Sequence, residues 1–399
     1  MTWDHERALH LADVFEAQFG SSPATVVRAP GRVNLLGEHT DYNEGFVLPM
    51  AIDRSVLVCA RPRNDRYVRI YFANYRRSVS FSLDEKFSPY SRKLSRLKSA
   101  VYLWGVAACL EARGYVLRGM DAAIEGNVPV GSGLSSSAAL EMAIVLAFEA
   151  VSGIYVPPEE KARIGQQVEN EFLGVQSGIM DQLVSVQGVK GCAILIDCRT
   201  LAHDLIPVSA RGMKIVVCDS GVRRSLNKSE YNVRREECRE GVRILSKCMA
   251  DVESLRDVSL SDLDSWGDRL PEKVRNRCVH VVSENERVLQ GALALKRGDT
   301  ARFGRFMIES HQSLRDLYEV SCRELDLLVD SAMRVEGVVG SRMTGAGFGG
   351  CTVNLIHSEC LDDFKCRVSA DYQRLAGRGV RIWACEPAEG AGVLGPEND

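Results

Sequence analysis

Between Gly126 and Ala139 the chain reads GNVPVGSGLSSSAA, with three glycines and a run of three serines. Leu140, Ala143, Ile144, Ala147 and Phe148 follow at helical spacing. A glycine- and serine-rich loop feeding a helix N-terminus offers free backbone N–H groups and the positive end of the helix dipole. Its hydroxyls can donate to an anion or bind a hard cation. The loop is a candidate phosphate cradle, but not of the G-x-x-x-x-G-K-[ST] type, for no lysine closes it. A flexible turn before a helix is the plain alternative. The ordered run PVGSGLSSSAA entering a long apolar helix favours the cradle.

Charged residues stand out at two other places. Glu38, His39 and Asp41 lie between apolar runs, Val33–Leu36 and Phe46–Ile52, that read as buried strands. Charge in that position calls for a reason. A solvated hairpin tip explains Asn43 to Gly45 but not Glu38 and His39, which precede the turn. Asp181 sits among Ile179, Met180, Leu183 and Val184. It faces either a cleft with a charge partner or solvent, and on these residues alone the two readings stand level. The glycines of MTGAGFGGCTVNLI match G-x-G-x-x-G literally. A dinucleotide fingerprint must open a helix, whereas Cys351–Ile356 reads as a strand, so what remains is a glycine turn that lets backbone approach a ligand.

The elements that must position these groups follow from periodicity. Helices are expected over 4–19, 94–112, the stretch from the serine loop to Ser152, a segment opened by Pro157-Pro158, then 229–249, 271–297, 299–318, 321–334 and 359–376. The segment opened by Pro157-Pro158 carries Glu169 near its apolar stripe, and Tyr231 opens the 229–249 helix. Strands are expected from Val26 to Gly31 and at Val33–Leu36, Phe46–Ile52, Ser55–Arg61, Tyr67–Phe72, Ser78–Leu83, Met120–Glu125, Cys192–Asp197, Lys214–Asp219, Cys351–Ile356 and Val380–Cys385. The tail from Gly390 is expected to fray. A strand-rich first half and a helix-rich second half describe an α+β chain of two lobes, 1–200 and 201–399, with the boundary between about 190 and 210.

Composition narrows the function classes. With 50 basic and 53 acidic residues among 399, the net charge of −3 gives no electrostatic case for nucleic acid or an anionic membrane. Arg61, Arg63, Arg66 and Arg69 read as a solvated strand face. The 13 cysteines include no C-x-x-C pair, and several sit in apolar runs, which describes small core residues in a reducing compartment. The seven histidines show no zinc spacing. No apolar stretch reaches membrane-span length, and the N-terminus does not read as a signal peptide, so a soluble cytoplasmic protein is expected.

Three segments stand in order at wide spacing: PGRVNLLGEHTDYNEGFVLPMAI, GNVPVGSGLSSSAALEMA and GAGFGGC. Together they resemble the GHMP superfamily of sugar and isoprenoid kinases nearly end to end, and the first segment resembles its galactokinase branch most. The resemblance implies two α+β lobes with the active site in the cleft between them. It implies that Gly131, Ser132, Gly133, Leu134, Ser135, Ser136 and Ser137 wrap the phosphates of ATP, and that Ser137 and Glu169 are linked to Mg²⁺. It makes Asp181 the catalytic acid-base group with Arg32 as its partner. It places Glu38, His39 and Asp41 on the sugar hydroxyls, with Gly178 and Tyr231 on the far wall. Tyr102 matches one position of an aromatic pair under adenine, while Ser99 stands where a tryptophan is common. The implied reaction moves the γ-phosphoryl group of ATP to the C1 hydroxyl of α-D-galactose as the first committed step of galactose catabolism. Galactose and ATP are then the partners, with no obligate protein partner. The rivals are a kinase for N-acetylgalactosamine or arabinose and a non-catalytic sugar sensor. Such sensors lack a Ser-Ala pair in the loop, which this chain keeps.

Overall fold

The computed structural model describes residues 3–85, 98–208, 212–223 and 228–395. Residues 94–97, expected to begin a helix, 209 and 210, at the end of the expected lobe boundary, and the last four of the expected frayed tail lie outside them.

One sheet has six strands, in the order Gly392–Val393, Thr25–Asn34, Pro49–Pro62, Met120–Gly126, Tyr67–Phe72, Arg77–Ser82. All its pairings are antiparallel except Tyr67–Phe72 against Met120–Gly126. A second sheet runs Val338–Thr344, Cys351–His357, Met213–Asp219, Arg381–Cys385. A third, of three strands, joins Phe46–Val47, Cys192–Asp197 and His203–Pro207. Mixed helices and largely antiparallel sheets make an α+β fold.

Three expectations are corrected. The strands expected from Val26 to Gly31 and at Val33–Leu36 are one, Thr25–Asn34, with Leu35 and Leu36 beyond its end. The tail does not fray from Gly390: Gly392 and Val393 pair with Arg28 and Val27 at the sheet edge. The expected strands Phe46–Ile52 and Ser55–Arg61 are divided elsewhere. Phe46–Val47 leaves for the third sheet, and Pro49–Pro62 runs unbroken through Asp53 and Arg54. Its neighbour absorbs the irregularity with a register shift between Pro30 and Arg32. Arg54 meanwhile lies over the Trp383 ring at 4.7 Å, so its charge need not break the strand.

The helix Ser136–Ser152 is the centre of the fold. Twelve of its residues, from Ala138 to Val151, are buried, and it packs across Thr25–Asn34 and Pro49–Pro62. A helix apolar nearly all round belongs in a core. Its N-terminus is therefore anchored, which fixes the end of the glycine-serine loop before it. The helices of the second half, Lys228–Leu245, Glu272–Lys296, Thr300–Asp316, Arg323–Met333 and Leu361–Ala376, lie within a few residues of the spans expected. Arg61, Arg63 and Arg69 all bond Asp121, which is 1% exposed, so this cluster is an ion-paired strand face.

Candidate active site

The loop Pro129–Ser135, the segment Glu38–Asp41, the turn Gly345–Phe348 and the helix Met180–Gln187 meet around a cavity of about 420 Å³. Its walls include Arg32, Glu38, His39, Asp41, Tyr102, Gly131, Gly133, Ser135, Ser136, Ser137, Glu169, Gly178, Asp181 and Tyr231. All but two of the residues expected in the site are thus brought to one cavity. Ser132 and Leu134 are the exceptions. The Ser132 hydroxyl turns inward to the Pro129 carbonyl at 2.7 Å, and Leu134 is part of the core. Their side chains brace the loop, and the Leu134 carbonyl accepts from the Arg32 amide at 3.1 Å.

In the cavity Arg32 holds Asp181 by both oxygens, Nε to Oδ1 and Nη2 to Oδ2, each at 2.8 Å. A third guanidinium nitrogen donates to the Gly133 carbonyl at 2.5 Å, tying this pair to the loop. Ser135 adopts a left-handed conformation, φ 58°, and its hydroxyl donates to Asp181. Such backbone in a non-glycine residue marks a position that its surroundings impose. This bond was not legible beforehand, for nothing local ties Ser135 to Asp181.

Glu169 stands beside the loop on a π-helical turn, Val168–Phe172, that follows the helix Pro158–Gln167 directly. A widened turn of this kind re-aims side chains and is often found at functional sites. Ser137 donates to its carboxylate at 2.9 Å and Ser177 at 2.5 Å. Burial pushes the Glu169 carboxyl up, with the charge of Asp181 adding to the rise and the hydroxyls opposing it. Burial pushes the Tyr102 phenol well up, the Glu169 charge adding to the rise, and the residue lines the same cavity as the serines. Ser99 opens the same helix, Lys98–Ala112.

Asp41, which also lines the cavity, begins a short 3-10 turn, Asp41–Asn43. Burial pushes its carboxyl up to about 7; the Asp181 charge adds to this, while the Tyr42 amide, Arg32 and Arg235 oppose it. Gly178 lies against that carboxylate so closely that a Cβ there would collide with it. His39, at φ 64°, bonds the Tyr42 hydroxyl through Nδ1 at 2.7 Å, and Tyr42 meets the Tyr318 hydroxyl at 2.8 Å. Tyr231 closes this wall, its ring centroid 5.6 Å from His39 and 5.2 Å from Tyr42. Glu38 is buried and accepts from Asn34 at 2.8 Å and from the Gly345 amide at 2.7 Å. That second bond holds the glycine turn against the Glu38–Asp41 segment. Tyr42 and Tyr318 were missed in the sequence, where they carry no signal beyond being aromatic.

A hydroxyl and one carboxylate beside a loop of backbone amides make a hard-oxygen donor set, open for phosphate and water to complete. Ser137 and Glu169 fit Mg²⁺ in that sense. Among the described residues no group of three or more His, Cys, Asp or Glu side chains could enclose a metal.

Comparisons with known proteins agree with this layout. The model described as "GHMP kinases N terminal domain" matches residues 101–189, and "GHMP kinases C terminal" matches 292–372. A mevalonate kinase structure, 20% identical, shares the fold with a TM-score of 0.64 over 91% of this chain and 99% of that one. The two-lobed fold with its glycine-serine loop is that of a GHMP kinase. A third model, "Galactokinase galactose-binding signature", covers residues 13–62. Curated galactokinases of Chloroflexus aggregans and Roseiflexus are 49% and 46% identical, over 95% and 96% of this chain and the same shares of theirs. The Lactococcus lactis galactokinase complexed with galactose superposes with a TM-score of 0.91 at 34% identity, over 97% of this chain and 99% of that one. The chain belongs to the galactokinase family, and it is an ATP-dependent sugar kinase.

Proposed function

We propose that the chain phosphorylates the C1 hydroxyl of α-D-galactose with ATP, the sugar lying between Asp41 and Asp181. The observation that carries this reading is the single cavity in which the Arg32–Asp181 pair, the serine loop and the Glu38–Asp41 segment face one another.

Phosphoryl transfer asks mainly for positioning and charge neutralisation. The backbone of Gly131–Ser137 and the dipole of the helix beginning at Ser136 receive the phosphates. Ser137 and Glu169 would hold Mg²⁺, which when bound neutralises phosphate charge. Arg32 and Ser135 donate to Asp181 and so fix its orientation. Asp181 accepts the proton of the C1 hydroxyl as the oxygen bonds to the γ-phosphorus. The bond from that phosphorus to the bridging oxygen breaks, and ADP leaves with the electron pair. Arg32 also supplies permanent positive charge beside the transferring group.

Sugar selection rests on acceptors. Asp41 and Glu38 take hydrogen bonds from hydroxyls, and a site built on such bonds discriminates strongly against a missing or inverted hydroxyl. Recognition of the axial C4 hydroxyl by Asp41 gives galactose over glucose. The lobes 1–200 and 201–399 are proposed as the two walls of the cleft.

The test is a panel of free sugars with Mg²⁺ and ATP, scored by ADP formed. Galactose should give the fastest turnover and glucose little. Equal rates on the two sugars would overturn the assignment, and no ADP with any sugar would favour a sensor.

A further inference from the structure

Glu38 is held from behind by a cation that no motif points to. Arg342 lies on the strand Val338–Thr344 and is fully buried. Its Nη2 is 2.7 Å from Glu38 Oε2 and 3.7 Å from Glu284 Oε1. Glu284, on the helix Glu272–Lys296, is equally buried. It accepts from the Gly37 amide at 2.9 Å and the Ser310 hydroxyl at 2.6 Å, and it pairs with Arg287 at 2.7 Å. One guanidinium thus joins two buried carboxylates, one beside the sugar segment and one on a helix of the second half.

The bonding around Glu38 leaves room for a ligand. Oε2 accepts from Asn34 and lies at ion-pair distance from Arg342 Nη2, which is not aligned to donate a hydrogen bond. Oε1 receives the Gly345 amide at 2.7 Å and lies 3.2 Å from Thr344 Oγ1. The Thr344 hydroxyl has a single proton and is also 3.1 Å from the Asn34 carbonyl. With that proton given to Asn34, Oε1 keeps acceptor capacity beyond the Gly345 amide, and Glu38 forms part of the cavity wall.

We propose that Arg342 is a positioning and specificity-determining residue for the sugar, holding the Glu38 carboxylate in place as an acceptor for one hydroxyl. This rests on the galactose reading above. Burial pushes the Glu38 carboxyl up, and of the charges around it Arg342 is the foremost in opposing that rise. Glu284 would otherwise repel Glu38, and Arg342 turns that repulsion into a bridge. Glu284 itself is buried, which acts to raise its carboxyl, yet Arg287 and Arg342 hold it at about 2. Paired with Arg287 at 2.7 Å and 3.7 Å from Arg342, Glu284 is the second carboxylate facing that guanidinium.

The test compares Arg342→Met, Arg342→Lys, Glu38→Gln and the double variant Glu38→Gln/Arg342→Met. Galactose KM, ATP KM, kcat and galactose binding without nucleotide are measured, with thermal melts as the check on folding. Arg342→Met should raise galactose KM by about tenfold or more, with kcat and ATP KM within about threefold. Arg342→Lys restores the charge without the fork and should recover most of the loss. In the Glu38→Gln background, Arg342→Met should add less than about twofold, since the carboxylate it serves is gone. Multiplying effects in the double variant overturn the proposal, as does an unchanged galactose KM or an equal loss for both substrates. Should Arg342→Met fail to fold, Arg342→Lys and the double variant decide the question, because the double variant removes both charges of the broken pair. Wild-type protein without galactose-dependent ADP formation strikes the proposed function instead, and galactose binding alone still reads the role of Arg342.

Discussion

Two carboxylates of the cavity, Asp181 and Asp41, are held by opposite means. Asp181 is gripped on both oxygens by Arg32 and receives the Ser135 hydroxyl. Asp41 makes no ion pair among the described residues, and burial beside Asp181 brings its carboxyl up to about 7. One group has its place and its partners settled before any ligand arrives. The other stands close to the backbone of Gly178 with acceptor capacity to spare. Direct bonding suits a group that must present a fixed atom to a reacting hydroxyl, whereas a sparsely bonded carboxylate suits recognition, because the ligand supplies the missing donors.

The contrast can be broken most sharply at Asp181. Asp181→Asn keeps the shape and removes the proton acceptor, and kcat should fall by about 10³-fold with the melting temperature little changed. Near-normal turnover by this variant would leave Asp181 an orienting group only. Next comes the close approach at Asp41. Gly178→Ala drives a methyl into the Asp41 carboxylate, and galactose KM should rise about tenfold while ATP KM holds. An unchanged galactose KM would mean that Asp41 does not need that position.

Acidity distinguishes the two carboxylates with a smaller effect. If ionised Asp41 is the better acceptor, galactose KM should fall several-fold between about pH 6 and pH 8, and Asp41→Asn should flatten that slope. The stability sign runs the other way. A carboxyl raised in the folded state holds its proton where the unfolded chain has lost it, so stability falls as pH rises from about 4 to about 7. Asp41→Asn should therefore raise the melting temperature at pH 8, by about 5 °C, and much less at pH 4. Equal melting shifts at both pH values would refute the assigned environment. The smallest kinetic effect belongs outside the cavity. Asp121, held down by Arg69, Arg61 and Arg63 against its burial, contributes stability above about pH 4 that is lost as acid protonates it. Asp121→Asn should cost about 1–2 kcal/mol in urea unfolding and leave kcat and both KM values within about twofold. A large kinetic loss there would blur the line between charges that act on the ligand and charges that brace the sheet.

Much of the site was readable because its parts are local. The serine loop and its helix need only residues 126 to 152, where helical spacing and small side chains speak directly. The long helices of the second half show their apolar stripes without help from any partner. Other features carried no local mark. Ser132 and Leu134 look like their neighbours in the loop, yet the backbone turns their side chains inward. Pro49–Pro62 stays whole because Thr25–Asn34 pairs along it, a long-range fact. The π-helical turn at Glu169 cannot be told from an ordinary helix end by spacing.

Residue types and their order pointed to a phosphate cradle, to carboxylates flanked by buried strands and to a glycine turn before a strand, and the resemblance of those stretches to GHMP kinases supplied the class of chemistry. These are properties of short stretches, where backbone preference and hydrophobic spacing act within a few residues. Folding alone decided how each carboxylate is charged and aimed. Arg32 meets Asp181, Arg342 meets Glu38, and Gly178 meets Asp41 only when distant segments pack together. Charge state and hydrogen-bond capacity depend on burial and on neighbours within a few ångströms, and tertiary contact is what sets both.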